Sequence, residues 1–415
     1  VWEHKAIGGV TNYVDTTGKS VHEVPSDESV KATGSVPTAT SSFGSSVPFH
    51  GLDNTNIVIL APEESDFASF YDSEFPHVDA SLCSGRYECA VSSDLAIVWK
   101  RPCQFMMGKI KLFDCIEPCD IIQGQLGDCW LLCAIACLAE FPCMIESLFE
   151  RATAELSENG CYHLKFCKGG QWRTVTVDDY IPCRPSGGPL YAGSNGNELW
   201  AMLVEKAYAK LHGSYDSISG GRSEEALEDM TGDPCVVFKF NDGVISDMLH
   251  NGDFWLKLCD YDNMGYMITV SSPGVDKLTT TGDHSGSGLV DGHAYSIITT
   301  KKLSNGNRLV LIRNPWGSKE WDGAWSDNSS DWTPELMSEV ADTKYDFTQS
   351  DDGMFWMSYD DMIERYESIS VCMCRTPGIH PNPWKELRKK TYVTYDLANR
   401  DVAPFSVFNV QARKS

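Results

Sequence analysis

The strongest periodic signal runs from Asp128 to Gly220, where apolar side chains recur at helical spacing. Residues 130–141 (WLLCAIACLAEF) are apolar on every side apart from Glu140, which predicts a helix buried all round rather than an amphipathic one. Residues 199–211 (LWAMLVEKAYAKL) set Lys and Glu between apolar positions and predict a second helix. From Asp233 onward the period changes to that of strands: Cys235-Val236-Val237-Phe238, then 294–300 and 308–312, with Ser304-Asn305-Gly306-Asn307 as a hairpin turn. A helical lobe facing a β lobe makes a natural cleft. Ser219-Gly220-Gly221, between the two textures, reads as a hinge or a point of close backbone approach.

The flanks differ from this body. Residues 1–25, bounded by Trp2 and Pro25 with Asn12-Tyr13-Val14-Asp15 between, resemble a WW module, a small three-stranded fold that grips proline-rich peptides on aromatic side chains. His22 stands where that module carries its second Trp, so the fold is expected to be degenerate and peptide binding weakened. Residues 26–74 read as a linker: 26–49 are rich in Ser, Thr, Gly and Pro, and a β-like run, Asn56-Ile57-Val58-Ile59-Leu60, precedes an acidic stretch. The body divides into 75–221 and 222–374. Residues 375–415 form a basic tail or the start of a further domain.

Charge and cysteine content narrow the function. At 415 residues the chain exceeds one ordinary core. Its net charge of −24 repels phosphate backbones and anionic lipid, which excludes nucleic acid as a first partner. The last 41 residues hold eight Lys and Arg against three Asp and Glu, a net of +5, so the preceding residues carry −29. No apolar run reaches the roughly 20 residues that a membrane-spanning helix needs, and no signal peptide is evident. The chain opens on Val1, so extension at either end is expected. Sixteen cysteines are few for a chain with this much core-forming sequence, and many, such as Cys133 and Cys137, sit among apolar residues. Reduced thiols and a cytoplasmic setting are expected. The Cys115/Cys119 and Cys133/Cys137 spacings do not suit structural zinc.

One cysteine has a chemical setting. Cys129 follows Gln123-Gly124-Gln125-Leu126-Gly127-Asp128 and opens the first helix, with Asp128 as the expected N-cap. A thiol in a helix's first turn meets unpaired N–H groups and the positive dipole end, both of which favour thiolate. Gln123 could aim its amide beside the Cys129 N–H as an oxyanion hole. Of ten histidines, His293 opens a strand in Asp291-Gly292-His293-Ala294-Tyr295, whereas His284 lies in a Gly/Ser loop. Asn314 ends the strand Leu309-Val310-Leu311-Ile312, where its amide could orient an imidazole while Trp316 shields the bond from water. Taken singly, His293 reads as a satisfied strand histidine and Asn314 as a turn residue. Together, the order Cys, His, Asn is that of papain-like proteases.

Gln123-Gly124-Gln125-Leu126-Gly127-Asp128-Cys129-Trp130, Gly292-His293-Ala294-Tyr295 and Ile312-Arg313-Asn314-Pro315-Trp316-Gly317 resemble the three active-site blocks of the calpain family of calcium-dependent cysteine proteases. Further similar stretches are Gly196-Asn197-Glu198-Leu199-Trp200, Ser219-Gly220-Gly221, Glu320-Trp321-Asp322-Gly323-Ala324-Trp325-Ser326-Asp327 and Asp352-Gly353-Met354-Phe355-Trp356. The resemblance covers 75–374 and implies an α+β fold: a papain-like two-lobed core whose triad assembles when both lobes bind calcium. It implies Asp120 and Glu198 as carboxylate ligands of a first Ca2+ site, with carbonyls near Phe113 and Cys115. Glu320, Asp327 and Asp352 fall to a second site, with a carbonyl near Ser350. Separated oxygen donors of this kind suit calcium. Met354 stands where the family has a further glutamate, and a thioether is no ligand for a hard cation. Gly221 and Gly292 match backbone positions that bind an extended substrate strand, although a plain turn role fits them equally.

The expected activity is calcium-dependent endoproteolysis of extended protein segments. A non-enzymatic scaffold using the WW-like segment and the groove is the rival; an intact triad argues against it. An acyl transferase of the transglutaminase type would ordinarily orient its base with Asp, so Asn314 argues against that reading.

Overall fold

Every residue of the first predicted helix is buried, over Cys129–Ala139, and the fold is arranged around it. The computed structural model describes residues 70–83, 96–274, 287–341, 350 and 352–375. The WW-like segment, nearly all of the linker, His284 and the basic tail beyond 375 lie outside the described residues. Those up to Met373 belong to one compact unit, and Cys374 begins a second.

The first half runs through α1 (Asp79–Leu82), β1 (Val98–Lys100), β2 (Ile121–Ile122), α2 (Cys129–Ala139), α3 (Pro142–Leu148), β3 (Cys161–Lys168), β4 (Gln171–Asp178), β5 (Ile181–Cys183), β6 (Gly193–Ser194), α4 (Trp200–His212) and α5 (Ser223–Thr231). The second runs through β7 (Cys235–Lys239), α6 (Gly243–Asn251), α7 (Asp253–Asn263), β8 (Met267–Ser271), β9 (Ala294–Lys302), β10 (Arg308–Arg313), α8 (Pro334–Ala341), β11 (Met354–Ser358), α9 (Tyr359–Arg365) and β12 (Ser368–Cys372). The later strands form one antiparallel sheet of six in the order β11-β10-β9-β8-β12-β7. Two-stranded ladders, β1-β5, β2-β6 and β3-β4, belong to the first half.

Helix α2 carries one apolar face to the sheet, and two thiols tie it there. Cys133 and Cys137, four residues apart and so on one face, donate to the carbonyls of Ala294 (2.8 Å) and Ile268 (3.5 Å). Both pKa values are driven well up, chiefly by burial, which keeps these groups as thiols and therefore as donors.

Two elements depart from the expected division of textures. The helical half contains the β3-β4 hairpin, turned by Gly169 and Gly170 at φ +59° and +74°, as a tight hairpin requires. Among the described residues, the β half contains four helices. Of these, α6 is capped by the Asp242 carboxylate, which accepts from Val244 N–H (3.0 Å), and α7 follows directly through Gly252 at φ +89°. Strand alternation in the sheet had masked these shorter amphipathic runs.

A buried charge network anchors residues 70–83 to the first half. Lys206, fully buried, donates to the Asp178 carboxylate and to the carbonyls of Asp178 (3.0 Å) and Tyr180 (2.6 Å). Asp178 also meets His77 Nε2 (3.0 Å) and the N–H of Asp72 (2.8 Å), and Asp72 in turn meets Lys210 (2.8 Å). Burial alone would raise the Asp178 pKa, but His77 and Lys206 outweigh it and hold the carboxyl well below its usual range. Removing one member leaves a buried charge uncompensated, so Lys206→Ala is expected to cost about 3–5 kcal/mol. Guanidinium unfolding of the variant checks this; an unchanged midpoint would count against the network.

Candidate active site

The site is built where β2, the loop leading into α2 and the end of β10 come together. Arg313 Nη2 donates to Ile121 O at 2.9 Å, and Gln123 N–H donates to Pro315 O at 3.1 Å. These two bonds join residues from opposite halves of the chain. A register shift in the β9-β10 ladder at Leu311/Ile312 re-aims the strand just before Asn314.

Asn314 is fully buried, and its amide has a defined orientation: Nδ2 donates to Lys319 O (2.9 Å), which turns Oδ1 toward His293 Nε2 (2.8 Å) and Trp316 N–H (3.1 Å). Nε2 must therefore carry the imidazole proton, and Nδ1 holds the basic lone pair. His293 Nδ1 is buried without a hydrogen-bond partner among the described residues. The ring lies edge-on to Tyr295 (4.9 Å between centroids) and beneath Trp316 (4.8 Å). Ser272, the residue after β8, clamps the His293 backbone: its hydroxyl accepts the His293 N–H (2.9 Å), and its own N–H donates to the His293 carbonyl (2.9 Å).

Cys129 begins α2 and, with His293, lines one cleft of about 350 Å³ whose other walls include Trp130, Gly221, Lys239 and Ser370. Asp128 occupies the N-cap position but makes no capping bond with its side chain. That expectation is corrected: the carboxyl is buried and hydrogen-bonds Glu205, whose Oε1 also accepts the Ala192 N–H at 2.8 Å. Burial, then the Asp128 charge, drives the Glu205 pKa well up.

The other sequence-derived positions fall out as follows. Gly221 and Gly292 both line the cleft. Gly221 is required by space, since a Cβ there would sit 2.3 Å from Trp130 Cε2, while Gly292 adopts φ +61° and donates its N–H to Pro273 O (2.8 Å). Gln123 does not line the cleft; its Nε2 donates to Leu126 O (2.7 Å), within its own loop. Gly124 presses that loop against residues 190–191, where a Cβ would come within 2.1 Å of Tyr191 O.

The acidic residues form two sets. Glu198 accepts the Asp114 N–H (2.8 Å), and Asp120 accepts the Glu117 N–H (2.8 Å). Burial first, with the Glu198 charge among the further causes, pushes Asp120 up to about 6. In the second set Glu320 Oε1 accepts the N–H groups of Asp352 (2.9 Å) and Gly353 (2.7 Å), and Gly353 O accepts the Asn314 N–H (2.7 Å). Burial, then Glu320 and Asp352, pushes Asp327 up to about 7. Each set thus holds crowded negative charge that a hard cation would relieve, and on this ground the residues fit calcium. Among the described residues, no three acidic, His or Cys side chains are gathered into a ready-made metal cage. Carbonyl oxygens would have to complete either site.

Residues 70–373 match the calpain family cysteine proteases. The chain belongs to that family. It is 37% identical over 317 residues to the calpain-type cysteine protease ADL1 of Oryza sativa subsp. japonica, across 74% of this chain and 14% of that protein. It is 37% identical over 311 residues to the calpain-type cysteine protease DEK1 of Arabidopsis thaliana, across 73% and 14%. Against the calpain-1 catalytic subunit of Macaca fascicularis the identity is 33% over 313 residues, across 73% and 42%. The chain spans well under half the length of these relatives. The α+β architecture described above is accordingly that of a calpain protease core.

In this calpain core burial lowers the His293 pKa from 6.5 to about 4, with the Asn314 bond opposing the shift. The folded chain then keeps the ring neutral at a pH where the unfolded chain protonates it. Its contribution is fully present above about pH 6.5 and is lost as pH falls toward 4, worth roughly 3 kcal/mol. Urea unfolding at pH 7 and pH 5 is expected to show a shallower pH slope in His293→Ala than in the parent; equal slopes would contradict the buried neutral ring.

Proposed function

We propose that this chain is a calcium-dependent cysteine endopeptidase acting on extended segments of proteins. The observation that carries the reading is the His293–Asn314 bond (2.8 Å), which leaves the basic Nδ1 in the cleft that Cys129 also lines. Nδ1 takes the Cys129 proton, and the thiolate at the start of α2 attacks the peptide carbonyl. The His293 pKa near 4 belongs to a ring without a neighbouring anion. Thiolate formation supplies that anion, so imidazolium and thiolate stabilise each other. His293 then protonates the leaving amine, and in the second half-reaction it activates the water that hydrolyses the acyl-enzyme. Asn314 keeps the ring's tautomer and tilt, and Trp316 excludes water from that bond.

The Cys129 N–H is the first oxyanion donor. Gln123 becomes the second once its amide turns from Leu126 toward the cleft, a rotation about its own side chain. Calcium, when bound, supplies fixed positive charge that neutralises the two carboxylate sets. Asp120 and Glu198 would hold it in one half, and Glu320, Asp327 and Asp352 in the other. The second set reaches the triad directly, because Gly353, between Asp352 and Met354, bonds Asn314.

Cys129→Ala is expected to reduce cleavage of an unfolded protein such as casein by about a thousandfold or more, with the thermal midpoint nearly unchanged. A variant that still cleaves would sink the assignment. Equal rates in calcium and in chelator would remove the metal from the reading and leave the peptidase. Asp327→Asn relieves like-charge crowding, so in chelator it is expected to stabilise the fold by roughly 1–2 kcal/mol; the same change should abolish any calcium-induced rise in thermal midpoint. A calcium shift that persists in this variant would exclude Asp327 as a ligand.

A further inference from the structure

Two thiols far apart in the chain are set face to face at the cleft-bearing edge of the large sheet. Cys235 on β7 is directly opposite Cys372 on β12. The bonds Phe240 N–H to Glu367 O (2.8 Å) and Met373 N–H to Pro234 O (3.0 Å) mark the hydrogen-bonded pairs of this ladder. Both lie an odd number of residues from Cys235/Cys372, which is therefore a non-hydrogen-bonded pair, the kind whose side chains come closest. Cα atoms at such a position are about 4.5 Å apart, within the roughly 4.4–6.8 Å that a disulfide spans.

Their surroundings give the pair an entrance and a consequence. Cys235 is partly exposed, whereas Cys372 is buried and lies 3.5 Å from Thr231 Oγ1 on α5. Val237 and Lys239 on β7, and Ser368 and Ser370 on β12, line the cleft. Strand periodicity puts Cys235 and Cys372 on the same face, one step further along each row. β7 is the edge strand and pairs with β12 alone. A covalent link here would fasten one wall of the cleft to the rest of the sheet.

We propose that Cys235 and Cys372 are a reversible oxidation site, joined as a disulfide by a peroxide. The peroxide oxidises the Cys235 thiol to a sulfenic acid and is itself reduced, to water when it is hydrogen peroxide. The Cys372 sulfur then attacks the Cys235 sulfur, and the hydroxyl leaves with the Cys372 proton as a second water. Two thiols and one hydrogen peroxide thus become one disulfide and two waters. The neighbouring Cys372 thiol, and then burial, hold the Cys235 thiol above its ordinary range, which slows its reaction with peroxide. The site is independent of the peptidase reading, since it uses neither Cys129 nor His293.

The test treats the full chain carrying Cys129→Ala with hydrogen peroxide and maps its peptides without reduction. The expected product is a Cys235–Cys372 cross-link, two hydrogens lighter than the dithiol, reversed by dithiothreitol and absent from Cys372→Ser. Cys235→Ala serves as the second variant should Cys372→Ser fail to fold. The proposal is overturned if both thiols remain alkylatable after the exposed Cys103 and Cys143 have been oxidised. It is equally overturned if Cys235 stops at a sulfenic or sulfinic acid, or if either thiol links to a different cysteine.

Discussion

Arg313 enters the interior at the end of β10 with its guanidinium fully buried, and donates from Nη2 to Ile121 on the other side of the molecule. Its Nε and Nη1 have no hydrogen-bond partner among the described residues. Burial lowers its pKa, opposed through space by Cys119, Cys133, Asp352 and Asp120. A buried cation of this kind is costly unless charge of the opposite sign is close at hand. Here that charge comes from both acidic sets, one from each half of the chain. The position of the two halves and the ionisation of the two sets are therefore not separable. The loop that ends in Cys129 hangs from one side of this seam and Asn314 from the other.

The polar groups behind the nucleophile follow the same economy. Asp128 and Glu205 lie together in the interior, where burial and the Asp128 charge drive the Glu205 pKa well up. Their bond runs on through the Ala192 N–H to the segment that Gly124 presses against. The loop 123–128 is thus held by the close backbone approach of Gly124 at one end and by buried side chains at the other, rather than by surface side chains that solvent could loosen.

The residues proposed to do the chemistry were the most legible in position, because each needs a particular side chain at a particular end of an element. Cys129 at a helix start, and His293 and Asn314 at the margins of β9 and β10, stand within a residue of their expected places. The central helix was legible for a related reason, since an all-apolar run admits few settings. Asp128 misled because capping is a local rule, and its actual partner, Glu205, is a distant residue that no local pattern reveals. Gln123, whose amide the sequence assigns to the cleft, donates instead to Leu126 O within its own loop, a contact that no spacing rule reveals. The β3-β4 hairpin carried a usable signal in Gly169-Gly170, and α6 carried one in Asp242. Both were outweighed by the stronger periods around them. Strand register, which sets Cys235 against Cys372, is a property of pairing and is invisible in a single strand.

Helix α2 has no solvent face, and this bears on what a lobe is in this protein. A cut near residue 222, where helical and β textures meet in the sequence, would leave α2 in the first fragment with the face that carries Cys133 and Cys137 stripped of the strands they bond. The fragment would expose a continuous apolar surface, and its partner would lose the support of β8 and β9. The two lobes are units of description but not of folding. Dissection, circular permutation or domain grafting in this scaffold has to keep the helix and the sheet on one polypeptide or supply both together.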